Sequence, residues 1–454
     1  MMRRSSNLRE SQQLHTGFGI DNLSLVDNTS TVFWFRRDLR LKDNAALYHA
    51  LRENSRVIPL FIFDEIILNE LEDKRDARVA FILESLRELQ RELLELGTSL
   101  LVVYGDPVEI FRRMSPKSVY ANHDYEQYAI ARDSSVKALL QEKGAEMITF
   151  KDQVIFEKDE IVKSDGKPYT VFTPYSKQWK QKLNDFYLKP YPCQRYFGSF
   201  FKTRPLPLPE LPDIGFQPPT VPIPERKIPL SIIGKYDQTR DIPAVRGTSR
   251  LGIHLRFGTI SIRHLVALAL KKNQTWLNEL IWREFYQMIL WHFPHVEKGS
   301  FKPAYDRISW TNDEDDFKKW CEGKTGYPLV DAGMRELNAT GFMHNRVRMV
   351  TASFLTKHLL IDWRWGEAFF AAKLLDYELA SNNGGWQWAA GSGCDAAPYF
   401  RIFNPELQQQ KFDPHYEYIR KWIPGFEPGN YLPRIVEHSF ARQRAINIFK
   451  KTVG

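Results

Sequence analysis

Between Thr31 and about residue 155, short runs of consecutive apolar residues alternate with longer stretches where apolar residues recur every three or four positions. Thr31–Phe35 (TVFWF) reads as a buried strand, followed by the polar loop RRDLRLKDN and a helix from Ala45. Val57–Phe63 (VIPLFIF) reads as a second strand. Ile82, Leu86, Leu89, Leu93 and Leu96 then repeat at helical spacing, and Gly97 ends that helix. SLLVVYG (99–105) and SVYANHD (118–124) read as a third and a fourth strand. Buried strands separated by amphipathic helices predict a parallel, Rossmann-like α/β sheet over residues 31–155. No GxGxxG follows the first strand, so the usual dinucleotide fingerprint is absent.

A different pattern follows. Nine prolines fall within residues 205–229, a density that excludes helix and sheet interior. Residues 156–230 therefore read as a long connector, and 231–454 as a larger all-α domain with few strand-like runs. Ten of the twelve tryptophans lie in that helical part, which directs attention there. The first thirty residues contain arginines but no apolar core, so residues 1–30 read as a polar, disordered tail rather than a secretory signal.

Composition adds limits. The formal charge of +8 permits an anionic partner such as nucleic acid without requiring one. Three widely spaced cysteines, Cys193, Cys321 and Cys394, make no CxxC pair. That disfavours a disulfide framework or a zinc site, predicts no bound metal, and suits an intracellular, reducing compartment. No apolar run of about 18 residues exists to span a membrane.

Within the helical part, NELIWREFYQMILWHFPH places Glu279 and Trp282 three apart on one helix face, and Pro294 ends the helix. That pair offers a hydrogen-bond acceptor beside a stacking surface, or simply a half-buried tryptophan and a surface glutamate. In GFMHNRVRMVTASFLTKHLL, Met343, Val347, Val350 and Phe354 form the core stripe. Asn345 and Met349 lie on the far side, flanked by Arg346 and Arg348, a face suited to apolar base surfaces and phosphates together, or simply a solvated arginine face with a stray methionine. GTSRLGIHLRFG sets Thr248, Ser249 and Arg250 before a helix, as a phosphate cradle or an ordinary N-cap. NNGGWQWAAGSG sets tryptophans among glycines and amides, fitting a flat redox cofactor or a tight helix junction.

Together these residues resemble the photolyase/cryptochrome family, most closely the class I cyclobutane pyrimidine dimer photolyases. The resemblance runs from TVFWFRRDLRLKDN to FDPHYEYIRKWIP and includes EGKTGYPLVDAGMRELNATGFMHNRVRM and NNGGWQWAAGSGCDAAPYFRIFNP. It implies an α/β antenna domain, a helical domain holding a U-shaped FAD, and light-dependent repair of pyrimidine dimers by electron transfer from the excited reduced flavin. The resemblance also implies damaged DNA as partner, with the dimer flipped out of the duplex, and a monomer that is cytoplasmic if bacterial.

By motif, Tyr236, Thr248, Ser249, Arg250, Leu251, Gly252, Trp276, Arg348, Asp376, Tyr377 and Glu378 are expected around FAD, with Asn382 facing flavin N5 as a neutral amide. Relatives often carry serine at position 252. Glu279 is expected to hydrogen-bond the dimer, with Trp282 and Trp388 as an aromatic wedge and Asn345 and Met349 lining the same pocket. Arg240, Arg346 and Gln408 are expected at the DNA strand. Trp386, Trp363 and Trp320 fall on the family's photoreduction chain from flavin to surface.

Tyr128 and Ala129 stand where folate-antenna relatives carry an Asn-Glu pair. That argues against a folate antenna and leaves a deazaflavin, a second flavin or an empty site. A cryptochrome-type photoreceptor is the alternative function. A 6-4 photoproduct lyase fits less well, since the pocket reads Asn345 and Met349 rather than that subgroup's histidines. A light-independent nucleic-acid-binding flavoprotein would leave the tryptophan positions unexplained.

Overall fold

A computed structural model describes residues 17–453. The chain divides into two compact units, each made of several segments. The first unit comprises the chain up to Ile155 together with Asp185–Arg226 and His254–Leu265. The second comprises Phe156–Asn184, Lys227–Ile253 and the chain from Val266 onward.

The first unit holds a five-stranded sheet in the order β3-β2-β1-β4-β5, parallel throughout. The strands are β1 (Thr31–Phe35), β2 (Val57–Asp64), β3 (Leu101–Gly105), β4 (Ser118–Asn122) and β5 (Glu146–Phe150). Helices α1 (Ala45–Glu53), α2 (Ala77–Glu95), α3 (Pro107–Arg112) and α4 (Gln127–Glu142) connect them. β1 is buried along its whole length because both sheet faces are covered. Phe33 and Phe35 enter one core cluster, while Val32 and Trp34 enter another, as the two-residue period of a strand requires. β5 escaped prediction because it is an edge strand with only Met147 buried, so its sequence EMITF lacks the continuous apolar run of its neighbours.

The loop RRDLRLKDN closes over the carboxyl ends of these strands around one buried carboxylate. Asp38 accepts the Arg36 backbone N–H at 2.7 Å and the Asn122 amide at 2.6 Å, and the Asn44 side chain donates to it at 3.2 Å. Burial raises the Asp38 pKa, against the pull of these donors.

The predicted tail is corrected from Gly17 onward; its residues 1–16 lie outside the described residues. Ile20–Leu25 forms a 3-10 turn that buries Leu23, and Val26 is buried beyond it. Phe18 accepts a backbone bond from Tyr104 of β3 at 3.2 Å. Gly19, at φ +76°, lies so close to the Val102 carbonyl that no Cβ fits there. The polar composition of this stretch concealed two apolar anchors, Leu23 and Val26.

The second unit is helical. Its elements used below are α5 (Phe172–Lys182), α6 (Gln274–His292), α7 (Pro328–Thr340), α8 (Asn345–Ser353), α9 (Trp363–Lys373) and α10 (Leu379–Ala390). The predicted stripe of Met343, Val347, Val350 and Phe354 is fully buried in the main helical core. Among the described residues no helix is long and apolar enough to cross a membrane.

Buried neutral histidines make this fold sensitive to acid. In the first unit His254 donates to the Glu225 carbonyl at 3.1 Å and accepts from the Thr259 hydroxyl at 2.8 Å. Burial lowers its pKa to about 4. In the second unit His358 falls to about 3, first through burial and then through His438 and Arg444. Between these values and the unfolded value of about 6.5, the unfolded chain binds more protons, so stability rises with pH across that window. Urea midpoints are expected to be level above about pH 7 and to fall steadily from pH 6.5 towards 4. A midpoint unchanged down to pH 4.5 would refute this.

Candidate functional site

Three helices of the second unit supply most of one large cleft. Asn273 caps α6 by accepting the Trp276 N–H at 3.1 Å, which fixes the phase of the helix. Glu279, Trp282, Arg283 and Tyr286 then follow at i, i+3, i+4 and i+7 along one stripe. His344 caps α8 through its ring, accepting the Arg346 N–H at 3.2 Å, and so presents Asn345, Arg348, Met349 and Ala352. From α10 come Ser381, Asn382, Gly385, Trp386 and Trp388. With Phe370, Leu374 and the loop Asp376–Glu378, these residues line a cleft with a cavity volume of about 400 Å³.

Charge gathers on one wall. Arg348 pairs with Asp376 through one guanidinium nitrogen, at 2.9 and 3.1 Å to the two carboxylate oxygens. Its Nε donates to the Met343 carbonyl at 2.7 Å, so the guanidinium is held from two directions. Glu378 accepts from Arg283 at 2.7 Å, from Gln287 at 2.9 Å and from Ser381 at 3.2 Å. Asn382 donates its amide N–H groups to the Glu367 carbonyl at 3.1 Å and to the Glu367 carboxylate at 2.8 Å. Both donors are thereby used, and the Asn382 Oδ1 is left as the acceptor available to a ligand. Burial raises the Glu367 pKa, opposed by the bond from Asn382.

Aromatic and apolar groups form the rest: Trp282, Tyr286, Met349, Phe370, Trp386 and Trp388. Glu279 sits at the edge, paired with Arg240, and burial raises its pKa against the pull of that guanidinium.

Two glycines permit this packing. A Cβ on Gly366 of α9 would overlap the Trp386 ring, and one on Gly384 would overlap the Tyr286 ring. Gly385, in contrast, faces open space and lines the cleft, so any side chain there would enter it.

The residues expected from sequence divide as follows. Arg348, Asp376, Tyr377, Glu378, Asn382 and Trp386 line the cleft together with Glu279, Trp282, Asn345, Met349 and Trp388. Gly252 touches its wall from behind, where a Cβ would stand 2.7 Å from the Asp376 Cβ. A serine at that position would require Asp376 to shift. Arg250 adopts φ +53° and stacks over Phe342 at 4.1 Å, while Leu251, Tyr236 and Trp276 are buried. None of these, nor Thr248 or Ser249, is among the cleft's lining residues. Arg346 binds Asp241 at 2.8 Å and stacks over Phe412, and the Gln408 side-chain oxygen is buried without a partner.

One expectation is corrected. Trp320 is 0% exposed and Trp363 is 2% exposed, so the series Trp386, Trp363, Trp320 does not reach the surface. Trp320 instead lies 6.0 Å from Trp386, edge to face, and donates its indole N–H to the Thr351 carbonyl. The half-buried Trp310, Trp365 and Trp422 pack against the same core cluster as Trp363. Arg283, Tyr286, Ser381 and Glu367 were not foreseen. The stripe starting at Glu279 could have revealed the first two; Glu367 left no local signal, because its partner lies 15 residues away.

A parallel α/β unit and a helical unit with a deep aromatic cleft, ion-paired on one wall and open at a glycine, define a protein built to take a large flat cofactor. Residues 31–195 match the DNA photolyase family and residues 276–428 match the FAD binding domain of DNA photolyase. A deoxyribodipyrimidine photo-lyase from Synechococcus sp. is 39% identical over 431 residues, 87% of each chain. Solved structures agree in fold. A bacterial class III photolyase from Agrobacterium tumefaciens gives a TM-score of 0.81 at 32% identity, covering 93% of this chain and 97% of that one. An archaeal photolyase from Sulfolobus tokodaii, solved with two FAD molecules, gives 0.79 at 33% identity, covering 93% and 100%. The chain belongs to the DNA photolyase family.

The glycine seats are testable. Gly366→Ala should force the Trp386 ring or α9 to move, destabilising the protein by about 1–3 kcal/mol in urea titration, the usual cost of overpacking. A loss under about 0.5 kcal/mol, the range of neutral surface changes, would show that the seat is not tight.

Proposed function

We propose that this protein repairs cyclobutane pyrimidine dimers in DNA by light-driven electron transfer, as a deoxyribodipyrimidine photo-lyase acting as a monomer. One observation carries the reading: a single cleft is lined by a fixed neutral amide and an arginine–carboxylate pair together with Glu279, Trp282, Asn345, Met349 and Trp388. The relatives' names and the FAD-binding match support it.

The residues present suit FAD. The cleft volume, the open face at Gly385 and the Asp376–Arg348 pair fit a large, flat, polar-tailed cofactor. Arg348, Asp376, Tyr377, Glu378 and Asn382 would hold its ring system. Tyr236, Thr248, Ser249, Arg250, Leu251, Gly252 and Trp276 would hold its phosphates and ribityl chain. Reduced FAD, bound and excited by light, supplies the electron that opens the two carbon–carbon bonds of the cyclobutane ring and takes it back.

The chain's own groups set the conditions. Asn382 presents Oδ1 as an acceptor and offers no acidic proton, so the amide orients a ring N–H without titrating. Arg348 balances negative charge across the cleft by a charge-assisted contact. On the substrate side, Trp282 and Trp388 stack the flipped-out lesion, which is already poorly stacked in the duplex. Asn345 and Met349 fill the pocket beside it.

Glu279 accepts hydrogen bonds from the bases once Arg240 turns to phosphate. Arg240, Arg346 and Gln408 contact the strand, which makes binding salt-dependent and largely independent of sequence. Trp386 and Trp363 carry electrons inward to restore the reduced cofactor, with a half-exposed tryptophan of the same cluster at the surface end.

Blue light should remove dimers from a thymine-dimer oligonucleotide incubated with FAD-loaded, chemically reduced protein. Light with no loss of dimer would refute the proposal, and photoreduction without repair would favour a cryptochrome-type photoreceptor. Trp386→Phe should abolish photoreduction of oxidised FAD yet leave repair by chemically reduced protein intact. Equal photoreduction in variant and parent would exclude Trp386 from the route.

The raised Glu279 pKa gives a pH test. The ionised carboxylate is the stronger acceptor, so affinity for the dimer should fall with acidification at a pH above the ordinary carboxylate range of about 4.3. Glu279→Gln should remove that step. A profile unchanged by the substitution would reject the role of Glu279.

A further inference from the structure

We infer that Phe172 is a positioning residue for damage recognition: it holds the Trp282 ring as a one-sided stacking platform, and Asp395 ties it to the segment that follows Trp388. The inference rests on Trp282 stacking the substrate.

The two rings lie parallel, with centroids 3.7 Å apart and planes 5° from coincidence. At that separation Phe172 stacks in van der Waals contact on one face of the indole. The remaining surface of Trp282 borders the cleft with Glu279, Asn345, Met349 and Trp388. Phe285 meets both rings edge-on, at 5.6 Å and 83° to Trp282 and at 5.9 Å and 80° to Phe172. Rotation of either ring would break that edge contact, so the pair is locked as a unit. A planar ligand therefore meets a single, pre-oriented face and need not order a loose side chain on binding.

Phe172 is itself anchored. It is the first residue of α5, a helix whose N-cap, Val171, has no side-chain acceptor. The Asp395 carboxylate takes that place, accepting the Phe172 N–H at 3.0 Å from a segment 223 positions away in sequence. Asp395 lies seven residues beyond Trp388. Trp282 is thus backed by a residue pinned to the chain that carries Trp388. The spacing between the two stacking surfaces depends on this tie.

The experiment compares Phe172→Leu, Phe172→Tyr and Asp395→Ala with the parent. It measures dissociation constants for a thymine-dimer oligonucleotide and for its undamaged counterpart, FAD content, and repair per bound complex at saturating protein under a light flash. Phe172→Leu should weaken dimer binding about three- to tenfold, part of the effect of losing a base–aromatic stack. Undamaged-DNA affinity, FAD content and repair per bound complex should stay at parental values. Phe172→Tyr keeps the ring and should restore affinity, and Asp395→Ala should weaken dimer binding in the same direction.

Parental dimer affinity in Phe172→Leu would overturn the inference. So would an equal loss of damaged and undamaged binding together with FAD, which signals a general packing defect. Trp282→Ala separates the two levels of the argument. If that change leaves dimer binding intact, the substrate role of Trp282 fails; if it weakens binding while Phe172→Leu does not, only the role of Phe172 fails. Should Phe172→Leu not fold, Asp395→Ala decides by the same criteria.

Discussion

The cleft depends on close approach of helices at glycine. The Trp386 ring occupies the space that a side chain on Gly366 would take, and the Tyr286 ring does the same over Gly384. Each contact lets a large ring approach closer to a neighbouring helix than any Cβ would permit, as dense interiors require. Because the rings are received into helix surfaces, α6, α9 and α10 converge without filling the volume between them. At Gly385 the same helix turns a bare face to the cavity. Within three residues α10 therefore seats a ring, leaves a gap and buries an indole.

Electrostatics follow from that geometry. Burial raises the pKa of Glu279, Glu336 and Glu367, and each is answered by a specific donor. Glu279 has Arg240, Glu336 has the Tyr418 hydroxyl at 2.7 Å, and Glu367 has the Asn382 amide. The answers differ in kind. Arg240 meets Glu279 as one charged group beside another, whereas the Asn382 amide gives its N–H groups to both the carbonyl and the carboxylate of Glu367 and is fixed by them. The bonds at Glu367 therefore set the orientation of a neutral group, while the pair at Glu279 balances charge.

Much of this was legible in the sequence because it is periodic or local. Four buried parallel strands are short continuous apolar runs, and the α2 and α8 stripes are repeats of apolar residues every three or four positions, so the chain displays them directly. β5 was hidden because an edge strand needs only one buried residue. The anchors Leu23 and Val26 were hidden in a polar stretch, since a turn packed on a strand has no period. Trp320 was misplaced for a related reason. Tryptophans can be found by eye, but which of them is 0% exposed depends on helices far apart in sequence. Glu367 and Phe172 share that property: each acts on a residue that no spacing rule connects to it.

The pattern of what was hidden bears on how such a site works. The residues visible in sequence, Asn382, Glu279, Trp282 and Trp388, are those that would touch a ligand. Those that were invisible, Glu367, Phe172 and Asp395, each fix the orientation of one of the first group or the chain around it. An amide free to flip would offer a donor as readily as an acceptor, and an indole free to turn would offer an edge as readily as a face. Specificity in this cleft is therefore a property of pairs: a contacting group and the distant residue that removes its freedom. Substituting the second member of a pair leaves the chemistry present but unaligned, which separates affinity from turnover in a way that substituting the first member cannot.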